Sequence, residues 1–382
     1  VAAFGSTLLV TAGCGGNGST APDYGPYPHE RIDGDYDTRP SLARGLLVES
    51  LRLGERVLYA SSVDPDLKVG RGSTVLVDYE GVTGPNSGPH HRVLDRYQVT
   101  GGFSALAANK PYDAAETSKK FLMVSLLAFP DEQTATAAAG DMERSDFEFN
   151  SDNVPVTLDA YPEALNHWRP GVPTVGSLLQ WKSLVIQVFA EREEADLGAL
   201  TEMVTSTLRQ QLAALETFTP TPVSELASLR LDPDGLLPLL VKTGDYTPDD
   251  NDFSVYGVHT YATTRDTPAV DFEADQRRGL LAVAYSHNKV LYRLRDAGGA
   301  TDFASYLTGA HTTPEYVPMR GVAHRRGITC GQATQPATQR IAARRFRCVI
   351  TSGAYVAVVY SNVDTDVRQL AAAQDSVLAE KR

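Results

Sequence analysis

The chain has 382 residues, 42% of them hydrophobic and 21% charged, which excludes a disordered polymer and allows roughly two or three domains with cores of their own. Its formal net charge of −12 excludes a general nucleic-acid binder, because that function needs a basic surface to displace counterions. With three cysteines, Cys14, Cys330 and Cys348, it is not a disulfide-built miniature either.

Residues 1–13, VAAFGSTLLVTAG, carry no charge. The run is too short to span a bilayer, which takes about 20 apolar residues, but it suits the apolar core of a signal peptide. No Met or basic start precedes it, so the printed chain is expected to begin inside a longer precursor. Thr11-Ala12-Gly13-Cys14 resembles the bacterial lipobox, although Thr11 stands where Leu or Val is usual. That resemblance implies a diacylglyceryl group on the Cys14 sulfur and cleavage just before it. The alternative is an ordinary secretory signal with a chance cysteine. Residues 14–28 are rich in Gly, Ser, Asn and Pro and read as a flexible tether. The expected address is therefore the outer face of the cytoplasmic membrane or the cell envelope, with the lipid on Cys14 as anchor. No later segment is long and apolar enough to cross a membrane.

The body is expected to be α+β, with two similar halves that arose by internal duplication, at 29–219 and 220–382. Each would form an antiparallel sheet with helices on one face. In the first half, Leu122–Phe129 reads as a strand, and Asp131 leads an Ala-rich helix to about Met142. Trp181–Ala190 is a second strand. Asp196 caps a helix whose apolar stripe is Leu197, Leu200, Val204, Leu208, Leu212 and Leu215. The join falls at Thr219-Pro220-Thr221-Pro222. In the second half, Val290–Leu294 is a strand and Asp302 leads a helix to about Leu307. Ala354–Tyr360 is a strand, and Asp364 or Asp366 opens a last helix through Val367, Leu370, Ala371, Gln374 and Leu378. Val154-Pro155-Val156 and Val317-Pro318-Met319 take matching places. One continuous domain, or two unrelated domains sharing a common motif, are the other readings.

The usual catalytic constellations are missing. Gly102-Phe103-Ser104-Ala105-Leu106 lacks the second glycine of a nucleophile elbow, and there is no zinc-protease, phosphate-loop or EF-hand pattern. His90-His91 reads as a solvated loop pair rather than a metal site, since adjacent residues rarely aim at one point. Asp245 to Asp252 reads as a solvated acidic turn, lacking the bidentate Glu and central Gly of a calcium loop. No cofactor or metal is expected. Cys330 and Cys348 are the natural disulfide pair of an exported protein, with two separate buried thiols as the alternative. From Tyr316 to Val363 there is no Asp or Glu, while Arg320, Arg325, Arg326, Arg340, Arg344, Arg345 and Arg347 all fall there. This is a candidate anion-binding patch for anionic lipid or an envelope glycolipid, unless the arginines pair with the acidic remainder of the chain.

One resemblance covers most of the chain after the tether. Ile32-Asp33-Gly34-Asp35-Tyr36-Asp37-Thr38-Arg39-Pro40 is followed by Arg44-Gly45, Glu49-Ser50-Leu51-Arg52-Leu53 and Val63-Asp64-Pro65-Asp66-Leu67. Near the end stand Cys348, Tyr355-Val356-Ala357 and Ala371-Ala372-Ala373-Gln374. The order resembles a family of actinobacterial cell-envelope lipoproteins that carry a shared domain of unknown function, with Gly34-Asp35 departing from that family's Gly-Asn. The resemblance implies an envelope lipoprotein and no chemistry. A non-catalytic binding or scaffold protein is the expected function, and an envelope hydrolase with a non-standard site the alternative.

Overall fold

The computed structural model describes residues 22–31, 35–76, 89–111, 119–244, 247–309, 315–335 and 344–380. Cys14 with the whole anchor, Ile32-Asp33-Gly34, Asp245, Tyr246 and Arg340 lie outside the described residues. The first half runs α1 (Leu42–Gly54), β1 (Val69–Val75), α2 (Pro89–Arg96), β2 (Gly101–Ala108), β3 (Phe121–Ala128), α3 (Glu132–Phe147), β4 (Val154–Pro155), β5 (Leu165–Trp168), β6 (Thr174–Trp181), β7 (Leu184–Glu191) and α4 (Leu197–Leu215). The second half runs α5 (Val223–Leu226), β8 (Phe253–Tyr256), α6 (Val258–Thr263), α7 (Pro268–Arg277), β9 (Leu280–Ser286), β10 (Lys289–Leu294), α8 (Ala297–Thr308), β11 (Tyr316–Met319), β12 (Ile328–Ala333), β13 (Phe346–Ser352), β14 (Tyr355–Ser361) and α9 (Asp364–Ala379).

The fold is α+β with two similar halves. Each half builds a seven-stranded antiparallel sheet, ordered β1-β2-β3-β7-β6-β5-β4 in the first and β8-β9-β10-β14-β13-β12-β11 in the second. Strand by strand the two orders are the same. The match extends to register. Trp181 pairs with Leu184 at the end of one hairpin and Ser352 with Tyr355 at the end of its counterpart. Counting back from these pairs, His167 opposite Gly176 corresponds to Gly331 opposite Arg347, and Asn166 opposite Ser177 corresponds to Cys330 opposite Cys348. Pro155 pairs with His167 as Pro318 pairs with Gly331, so the two Val-Pro dipeptides do occupy equivalent edge strands. Proline is tolerated there because an edge strand leaves one row of N–H groups unpaired.

Helix starts follow local chemistry. Asp131, Asp196 and Asp296 cap α3, α4 and α8 by accepting the N–H of Thr134, Ala199 and Gly299. The expected start at Asp302 is corrected here: Asp302 lies inside α8, and the cap is Asp296. The expected strand from Trp181 is also two pieces. Trp181 ends β6, and the chain turns through Lys182, whose φ is 50°, before β7 begins at Leu184. Nor do the helices of the first sheet keep to one face. Leu127, Val185 and Leu178 join α3 residues Ala135, Ala138 and Met142 in one core. Their sequence neighbours Leu126, Ile186 and Leu179 join Leu200, Val204 and Leu208 of α4 in another. Alternation along a strand sends neighbours to opposite faces, so α3 and α4 cover opposite sides.

The end of the segment read as the tether, and Arg31 just beyond it, make fixed contacts. Tyr27 donates to Asp366 Oδ1 (2.6 Å), Tyr24 OH meets Ser376 Oγ (2.9 Å), and Arg31 donates to Val377 O, all along α9. The halves are also joined. Leu47 and Leu51 of α1 enter the second half's core, while Leu53 enters the first half's. Arg44 is buried and donates to Leu229 O (2.8 Å), Arg39 O, Tyr36 O and Ala227 O, with Asp37 Oδ1 at 3.3 Å. Asp37 in turn accepts from Leu231 N and Asp232 N. Beside them Gly45 admits no side chain, since a Cβ there would lie 2.1 Å from Leu226 O.

Candidate functional site

A concave site lies in the first half, on the α3 face of the sheet, with a volume of about 340 Å³. Its floor is Leu106, Phe121, Met123, Gly176 and Phe189, and its wall is His90, Glu143, Asp146, His167 and Gln187. The floor follows from pairing: Met123 stands opposite Leu106 and Phe189, and Gly176 opposite Phe189 and His167. Phe121 and Phe189 meet edge to face at 6.2 Å. Gly176 keeps the floor low, because a Cβ there would touch only His167 Cε1, at 3.7 Å.

Two acid–imidazole pairs form the wall. Glu143 and Asp146 stand one helical turn apart on α3. His167 Nδ1 lies 3.0 Å from both oxygens of Glu143. That hydrogen bond holds the imidazole above its ordinary value, against the opposing effect of burial. His90 Nε2 lies 2.9 Å from Asp146 Oδ2 without hydrogen-bond alignment, and Gln187 Nε2 donates to His90 Nδ1 at 3.4 Å. Gln187 Oε1 is buried with no partner among the described residues. The site therefore offers acceptors, a negative wall and a flat apolar floor. Among the described residues no Lys or Arg lines it.

Ser177 also borders the cavity, but its hydroxyl is not a nucleophile there. Val175 and Leu179, on the same side of β6 as Ser177, belong to the α4-side core. Glu143 and Asp146 both stand on α3, on one wall of the cavity.

The residues singled out from sequence fall in several places. Cys330 and Cys348 form a disulfide across β12 and β13, with Cα atoms 4.0 Å apart. Two of the arginines are engaged within the fold. Arg325 pairs with Asp375 at 2.5 Å, and buried Arg347 donates to Leu307 O at 2.8 Å. Arg320, Arg326, Arg344 and Arg345 are exposed, and Arg344 and Arg345 lie over the rings of Tyr360 and Phe346. His90 and His91 diverge: His90 is buried in the cavity wall, not solvated, while His91 turns to Asp95 at 3.2 Å. In the acidic turn, Asp249 accepts from Asn251 N and Asp252 N, closing its own loop. Among the described residues no group of three or more His, Cys, Asp or Glu is placed to hold a metal. Glu143, Asp146, His167 and Gln187 escaped the sequence reading, because a helix turn and two strands distant in sequence bring them together.

The chain matches the family described as domain of unknown function (DUF7373), N-terminal, over residues 36–231, and its C-terminal counterpart over 236–381. It belongs to the DUF7373 family. In this DUF7373 chain the motif residues Tyr36, Asp37, Arg44, Gly45 and Glu49 pack against residues 221–232, at the end of the N-terminal match, rather than line the cavity. No curated protein matches the chain. Among solved structures, the extracellular domain of PknH from Mycobacterium tuberculosis is similar at 11% identity over 49% of this chain and 99% of that one. Its TM-score is 0.30, which carries no argument about this DUF7373 chain. Among the described residues no helix is long and apolar enough to cross a membrane.

Proposed function

We propose that this DUF7373 chain is a non-catalytic binding protein of an actinobacterial cell envelope, held at the outer membrane face by a lipid on Cys14, with the first-half cavity as its ligand site. The observation that carries the binding reading is the buried Gln187 Oε1, without a partner among the described residues, beside two acid–imidazole pairs over an apolar floor. A buried acceptor without a donor costs about 1–3 kcal/mol, and a ligand's N–H or O–H removes that cost. The Cys330–Cys348 bridge supports export, because such bonds persist in oxidising compartments. The exposed Arg320, Arg326, Arg344 and Arg345 are proposed to meet anionic lipid headgroups or an acidic glycolipid close to the anchor.

Mass spectrometry of the protein taken from its native envelope tests both parts. A diacylglyceryl mass on Cys14 and a retained small molecule are expected. A bare Cys14 thiol overturns the anchor, and material that retains nothing and binds nothing in a small-molecule screen overturns the ligand site.

A further inference from the structure

The internal duplication supplies a comparison within one chain. Gly176 and Arg347 occupy equivalent positions, as do Glu143 and Thr308, which stand equally far beyond the caps Asp131 and Asp296. In the second half the space over the sheet is filled by the chain's own guanidinium. Arg347 Cζ lies 4.1 Å from the Tyr316 ring centre, its Nη2 donates to Leu307 O, and the remaining hollow beside Thr308 is only about 30 Å³. Tyr360, the counterpart of Phe189, carries a second guanidinium, that of Arg344, at 4.8 Å. In the first half the arginine is a glycine, the threonine is a glutamate, and the cavity opens to about 340 Å³. One half supplies a guanidinium of its own, while among the described residues the other supplies carboxylates and no Lys or Arg.

We propose that the first-half cavity binds a guanidinium-bearing ligand, its apolar stem lying over Met123 and Phe189 and its planar head meeting Glu143, Asp146 and Gln187 Oε1. This rests on the reading of that cavity as the ligand site. A guanidinium presents a fork of donors that matches a carboxylate, and it stacks on aromatic faces. Each carboxylate keeps lone pairs beyond those facing its histidine, and Gln187 Oε1 has none engaged among the described residues. The chemistry is the same whether the group arrives on a free small molecule or on an arginine side chain of a peptide.

Calorimetry on the full chain at pH 7.5 and low salt tests this with agmatine, with the tripeptide Gly-Arg-Gly, and with the uncharged urea analogue of agmatine. Binding of at least one guanidinium probe is expected, with the urea analogue about 10- to 100-fold weaker. Binding of agmatine alone assigns a free ligand, and binding of the tripeptide assigns a peptide side chain. Gly176→Arg, which copies the second half, should abolish binding. The backbone there is not left-handed and a Cβ fits, so the variant is expected to fold. The double variant Glu143→Gln/Asp146→Asn should weaken binding by a similar factor with an unchanged circular dichroism spectrum. The inference is overturned if neither guanidinium probe binds, if the urea analogue binds as tightly, or if the double variant binds normally. A neutral molecule recovered from the native envelope and blocked by Gly176→Arg would overturn the guanidinium while leaving the ligand site intact.

Discussion

His167 gains most of its proton affinity from one neighbour. The Glu143 hydrogen bond raises it above the usual 6.5, and the nearby charges of Glu143 and Asp146 add to the effect, while burial opposes it. A raised folded value means that the pair stabilises the fold below the unfolded imidazole's range, and that this contribution is lost as pH rises through the folded value. In Glu143→Gln, only burial and the more distant Asp146 remain, so NMR titration should find His167 at or below 6.5. An unchanged titration would refute the assignment. Lys289 poses the opposite problem. It is fully buried where the first half has Val124, its amine beside Thr243 Oγ1 and 3.1 Å from Asn288 Oδ1. Burial pushes it down to about 7. Between about 7 and the ordinary 10.5 the unfolded chain holds a proton that the folded one does not, so stability should rise with pH across that window. Lys289→Met should remove the rise and melt later at pH 7, by on the order of 1–4 kcal/mol, as when a hydrophobe replaces a buried ion. A variant less stable than the parent at pH 7 would contradict this.

Among the elements, the β12–β13 bridge is the best test of the duplication. Cys330 and Cys348 face each other across the ladder, and the equivalent first-half pair is Asn166 and Ser177. Asn166 Oδ1 and Ser177 Oγ are buried without partners among the described residues. If the halves share backbone geometry to this detail, the variant Asn166→Cys/Ser177→Cys should close a second bridge. Resistance to alkylation before reduction, and a higher melting temperature, are the readouts. Reduction of the native bridge should cost about 3 kcal/mol, the loop-closure term for this spacing. Two freely alkylated cysteines in the variant would show that the strands match in order only.

At the scale of the molecule, the helix that opens the first half serves both cores. Leu47 and Leu51 of α1 are buried in the second half's core, and Arg44 bonds to the carbonyls of Ala227 and Leu229. Glu49 accepts from Thr221, inside the stretch read as a linker, and His259 Nε2 meets Val57 O at 2.7 Å. A chain cut between Thr219 and Pro220 exposes those apolar side chains and takes from Arg44 the carbonyls of Ala227 and Leu229. Residues 220–382 alone should therefore give a poorly dispersed amide NMR spectrum, and residues 22–219 added in trans should restore it. A well-dispersed spectrum from the isolated piece would establish two autonomous domains.

The sequence by itself determined the parts that depend on near neighbours. Asp131 and Asp196 mark their helices because a cap bonds only three residues ahead, and the stripe through Leu200, Val204 and Leu208 follows from helical period. The paired Val-Pro dipeptides betrayed the repeat because edge strands admit proline. The start of α8 was misplaced because Asp296 and Asp302 are chemically alike, and only the end of β10 decides between them. Tertiary structure alone decided the site. Glu143, His167 and Gln187 meet through sheet register and helix placement, and the cavity exists because a glycine in one half stands where its twin carries an arginine. That difference acts across space, between residues that share no local signal.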